Sequence, residues 1–85
     1  MNSYEIVKQL LYVDKNGGIN IASDEDVIFT HVNKEIARKF LTKINGKRVL
    51  RQYNKCKRKA HYTRYALVKM RNDDVTEIAV KLIEN

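Results

Sequence analysis

Apolar residues recur in blocks along the chain, and the spacing within each block predicts an element. In "NSYEIVKQLLYVDKNGG", Tyr4, Val7, Leu10 and Leu11 fall at helical intervals, with Ile6 and Val13 widening the stripe. Asn2 and Glu5 have capping-box spacing, and Gly17 and Gly18 supply a stop, so a helix over 2–14 is expected. "GINIA" and "DVIFTHV" are short and β-branched and flank the turn formers "SDED", which predicts a β-hairpin. "NKEIARKFLTKING" returns to helical spacing: Asn33 caps, Glu35 favours the positive end, and Ile36, Phe40, Leu41 and Ile44 form the stripe of a helix over 33–45.

The next block is less regular. "HYTRYALVKM" alternates apart from Leu67, and "KRVLRQYN" is its expected antiparallel partner across the basic turn "KCKRKA". A helical alternative stands beside this, because Val49, Tyr53, Cys56 and Ala60 also fit a 3.6-residue period. "NDDVTEIAVKLIEN" predicts a closing helix over 74–84, with Asp74 and Glu77 at capping-box spacing and Val75, Ile78, Ala79, Leu82 and Ile83 as its apolar face. The resulting order is αββαββα: one small α+β domain over 1–85, with a mainly antiparallel sheet of about four strands packed by helices on one side.

A chain of 85 residues buries a thin core, and its single cysteine, Cys56, allows no internal disulfide to reinforce it. That argues for a reducing compartment. With no signal-peptide pattern and no apolar run near the ~20 residues of a membrane helix, the expectation is a cytoplasmic protein without membrane contact. Richness in Lys, Asn, Ile and Tyr points to AT-rich coding sequence, and so to a virus, a mobile element or a low-GC bacterial host.

Charge changes the picture most. The net charge is +7 and the pI about 9.7. Thirteen of the 17 basic residues lie within 36–72, a span with no acidic residue, while the remainder of the chain carries −6. Asymmetry of this kind points to a polyanionic partner. On the expected basic hairpin at about 47–71, Arg48, Arg51, Arg64, Lys69 and Arg71 ride the strands, and Lys55, Lys57, Arg58 and Lys59 meet phosphates from the turn. Tyr53, Tyr62 and Tyr65 are candidates for phosphate bonding or base stacking, and the second helix adds Arg38, Lys39 and Lys43.

Other chemistry is weakly represented. Cys56, His61 and His31 lack the number and spacing of a zinc ligand set, and Asp24, Glu25 and Asp26 read as solvated turn residues. No metal site and no cofactor is expected. "LLYVDKNGGINI", followed by a hairpin, a helix, a basic hairpin and a last helix, resembles a LAGLIDADG homing-endonuclease half-domain. The resemblance implies an αββαββα fold that saddles DNA with its sheet and pairs through the first helix, with Asp14 and Gly17 matching the aspartate and glycine of the motif. Asn16 stands where the metal-binding acid would be, and Leu10 and Leu11 replace the small residues of the helix contact, which implies a non-catalytic relative. The expected function is therefore nucleic-acid binding without catalysis, DNA ahead of RNA. The alternatives are a small viral modulator whose basic face docks on an acidic host protein or nucleoprotein, and a nuclease. A homodimer is compatible with either.

Overall fold

The computed structural model describes residues 2–85. It contains one α-helix and six strands: β1 (Asn2–Val13), β2 (Ile19–Ile21), β3 (Asp26–His31), α1 (Lys34–Lys43), β4 (Val49–Leu50), β5 (Ala60–Arg71) and β6 (Asp74–Glu84), with a single 3-10 turn at Tyr53–Lys55. The strands form one antiparallel sheet, ordered β2-β1-β5-β6-β4, with β3 also paired to β1. The αββαββα expectation is therefore corrected. Of the three expected helices only the middle one exists; 2–14 and 74–84 are the long strands β1 and β6. The element order on which the LAGLIDADG resemblance rested is absent, since Asp14 follows a strand.

Both expected hairpins are also re-paired. β2 and β3 do not face each other; both lie along β1, opposite Leu11–Val13 and Tyr4–Lys8 respectively. Between them Ser23 is tied to the same strand, its hydroxyl accepting from Leu10 N at 2.8 Å and its carbonyl from Gln9 Nε2 at 3.3 Å. The region 47–59 is not a strand of a basic hairpin: β4 has two residues and pairs with β6, and the chain reaches β5 through an irregular loop. The actual long hairpin is β5–β6, closed by the two residues Asn72 and Asp73. Asn72 takes φ 53°, which the primed two-residue turns require and asparagine tolerates.

The sheet buries its two faces at different ends. On the first face α1 lays Ala37 and Leu41 on Tyr4, Ile6 and Leu67, with Phe40 stacked on Phe29 at 4.3 Å between ring centroids. On the second face Leu11, Val13, Tyr62 and Leu82 are covered by Leu50 of β4 and Cys56 of the following loop. Asn33 caps α1 as expected, its side chain accepting from Glu35 N and Ile36 N at 2.9 and 3.2 Å.

The other end of α1 is finished by β6. Lys81 Nζ donates to the carbonyls of Leu41 and Thr42, both at 3.0 Å, and to that of Ile44, which satisfies carbonyls that a helix terminus leaves open. Burial, and secondly the charge of Arg51, lower the Lys81 pKa. The turn out of the helix passes so close to β6 that a Cβ on Gly46 would collide with Ile83 Cγ2. At the β1–β2 turn Gly17 takes φ 83°, and the Asp14 carboxylate accepts from Gly18 N, Asn16 N and the Asn20 amide at 2.8, 2.9 and 3.2 Å.

Two outcomes follow. Gly46→Ala lowers stability by about 1–3 kcal/mol in urea unfolding, the usual cost of an overpacked contact, because Ile83 is held in its strand from both sides. Asp14→Ala lowers Tm at neutral pH. The hydrogen bonds from Gly18, Asn20 and Asn16 hold the Asp14 pKa below its ordinary 3.8, so its contribution is present above that value and fades as pH falls through the depressed one. Thermal melts of wild type and variant should converge in acid.

Candidate nucleic-acid interface

The topology distributes the basic residues rather than gathering them on one hairpin. Arg38, Lys39 and Lys43 are exposed on α1. Arg48 precedes β4, and Arg51, Tyr53, Lys55, Lys57, Arg58 and Lys59 occupy the loop between β4 and β5. All these side chains are exposed. Within Lys47–Lys59 there are seven basic residues and no acidic one.

This loop is seated, not free. The Tyr62 hydroxyl, on a fully buried side chain, accepts from Lys57 N at 2.7 Å. Lys57 Nζ pairs with Glu84 at 3.3 Å, and Glu84 N donates to the Arg48 carbonyl at 3.0 Å. Cys56 packs into the second-face core, where burial raises its thiol pKa against the opposing pull of Arg48. A thiol so placed is protonated at neutral pH and a poor nucleophile. At the far side Arg58 donates to the Lys15 carbonyl at 3.4 Å, and Lys59 turns the chain into β5 with φ 56°.

Arg38 and Arg51 flank a groove of about 600 Å³ between α1, β4 and β6, with Val49 and Ile78 among its lining residues. The groove joins the helix cations to those of the loop. The acidic residues Asp24 and Glu25, with Asp26 at the start of β3, sit at the sheet edge opposite β4.

Five of the expected contact candidates lie elsewhere. At about 3.3 Å per strand residue, Lys69 stands roughly 33 Å along β5 from Lys59, and Arg71 stands farther. Tyr65 packs against the core under α1. Arg64 points to the other face, where its guanidinium donates to the Tyr53 hydroxyl at 2.6 Å and pairs with Glu77. Burial opposes its charge, but those two partners outweigh it and its pKa is raised. Tyr62, a candidate for stacking on bases, is the buried post that carries the loop.

The residues that hold the loop were not foreseen from the sequence. Glu84, an acid next to the apolar pair in "KLIEN", was the available signal for the loop, and Lys81, a lone cation in "IAVKLI", the signal for the closure of α1. His31 Nδ1 accepts from Asn33 N at 2.9 Å, and the His61 ring lies 4.8 Å from that of Tyr12. Among the described residues no three His, Cys, Asp or Glu side chains cluster as metal ligands, and no helix is long and apolar enough to cross a membrane. Comparison with protein-family models, curated proteins and solved structures returns no match.

Tyr62→Phe removes the acceptor of Lys57 N while keeping the ring. The expected loss is about 0.5–1.5 kcal/mol of stability, together with faster amide exchange confined to 53–59, measured by urea unfolding and hydrogen exchange.

Proposed function

We propose that the protein binds nucleic acid without catalysis, duplex DNA in the first place, through the loop 48–59 and the adjoining basic side of α1. The observation that carries this reading is the seated, acid-free loop: seven cations in Lys47–Lys59, on a backbone fixed by Tyr62 and Glu84. Fixed cations neutralise phosphates and release condensed counterions, which supplies affinity without base readout. The Arg38–Arg51 groove offers two guanidinium groups to one backbone. Two of the three candidate tyrosines are withdrawn from stacking on unpaired bases, since Tyr62 is buried and Tyr65 packs under α1; Tyr53 keeps an exposed ring, tethered through its hydroxyl to Arg64.

The test is a salt-titrated anisotropy measurement with duplex DNA, duplex RNA and single strands. The log of the affinity should fall linearly with the log of salt concentration. Arg51→Ser, Lys55→Ser and Lys57→Ser should each weaken binding to every sequence alike and lower the slope by roughly 0.9 for each phosphate no longer neutralised. Lys69→Ser with Arg71→Ser should leave both unchanged. No binding at physiological salt, or equal losses from the 69/71 pair, would sink the reading and promote an acidic protein as the partner of the same surface.

A further inference from the structure

The sheet face turned away from α1 is covered only at its Val13 end, by the basic loop. The rest is an open trough of about 770 Å³. Val7, Ala66 and Val68 make a buried apolar floor. One wall is β2 and β3, where Ile21 and Val27 are 63% and 55% exposed; the other includes Val75, 60% exposed. Five of the ten large hydrophobic side chains exposed among the described residues border this one concavity, and apolar concentration of that kind marks a binding surface.

Its charge runs against that of the whole molecule. Three carboxylates, Glu5, Glu25 and Glu77, line the trough, against one guanidinium, Arg64. Arg64 is already held by Glu77, whereas Glu5 and Glu25 form no ion pair among the described residues. A polyanion is therefore disfavoured here. Two copies meeting face to face would bring like-charged rims together, which disfavours self-association. The fitting occupant carries apolar groups in a stripe and positive charge beside them.

A sheet face is covered by a second layer, and the opposite face shows the kind of layer this sheet accepts. There α1 sets Ala37 and Leu41 inward and Lys34, Arg38, Lys39 and Lys43 outward. We propose that the trough is a docking site for a basic amphipathic α-helix of a partner protein. Its apolar stripe lies on Val7, Ala66 and Val68, and its Lys or Arg side chains reach Glu5 and Glu25. The trough meets the proposed nucleic-acid surface at Tyr53, which lines it from the loop, while Glu5, Glu25, Val7 and Val27 lie outside that surface.

The probe is an 18-residue Leu/Lys peptide with one apolar helical face, titrated into ¹⁵N-labelled full-length protein. Controls are a scrambled peptide of equal composition and a Leu/Glu counterpart. Saturable one-to-one binding is expected, with amide shifts at Val7, Ile21, Val27 and Val68 and none at Lys55–Lys59. Glu25→Lys with Val27→Lys should weaken binding at least tenfold while duplex binding is retained. Both residues are exposed, and Ile21→Lys on a different strand is the second variant should that pair perturb the fold. Equal binding of the scrambled or Leu/Glu peptide, or shifts centred on another surface, would overturn the proposal. So would sedimentation of the free protein as a dimer that Val27→Lys dissociates, which would assign the trough to a second copy.

Discussion

A sheet with strands as long as β1, β5 and β6 has two faces to bury, and this chain has one ten-residue helix and one short loop to do it with. The rest of the structure follows from that shortage. α1 is too short to be stable alone and exists because the first face receives its apolar stripe. Its C-terminus must then lie tightly on β6, which is where Gly46 makes room for Ile83 and where Lys81 closes the open carbonyls. The second face is left to the β4–β5 loop, which can cover only its near end.

The same shortage explains which elements were legible in the sequence. The signals for α1 are local: Asn33 bonds the first-turn amides, and Phe40, Leu41 and Ile44 pack on the sheet as their spacing predicts, with Ala37 buried in place of the expected Ile36, which is 43% exposed. β1 misleads because its cover changes sides along its length. Tyr4 and Ile6 are buried under the helix, whereas Val7, Leu11 and Val13 are buried on the opposite face. Steps of three and four from Tyr4 to Val7 to Leu11 therefore imitate a helix while the backbone alternates strictly. β6 misleads twice over. Its bulge opposite Leu67 and Val68 lets Ile78 and Ala79 both pack under α1, and its far end buries Leu82 and Ile83 on opposite faces. Residues 78, 79, 82 and 83 thus fall at helical spacing for reasons that only the sheet supplies. The β-branched content of "DVTEIAVKLI" was the counter-signal, and Asn72-Asp73 marked the hairpin turn.

For the site, composition was more informative than arrangement. An acid-free span of cations is visible in one dimension; which of them share a surface depends on strand length and on face. Period-2 alternation alone separates Arg64 from Tyr65. The register then carries Lys69 and Arg71 to the far end of a molecule whose longest dimension is 43 Å. The carboxylates of the trough come from segments that the sequence placed apart: Glu5 and Glu77 in two expected helices, Glu25 in the turn of an expected hairpin. Strand register brings Glu5 and Glu77 to either side of Val68, and the pairing of β1 with both β2 and β3 sets Glu25 at the rim.

Placing so many like charges on the covering loop sets one energetic demand against another. Seven cations between residues 47 and 59 repel one another, and low ionic strength makes the repulsion worse. The loop's seat is mostly uncharged and so insensitive to salt: the Tyr62 hydroxyl on Lys57 N, the Glu84 amide on the Arg48 carbonyl, and Leu50 and Cys56 in the second-face core. Glu84 answers with charge from a side chain only 9% exposed, where screening is weaker than at the surface, and Asp14 faces Arg58 from the β1–β2 turn. Self-repulsion is thus a standing cost of the free protein that a row of phosphates would relieve. The uncharged seat lets the loop keep one shape with or without an anion, so little ordering entropy stands against binding.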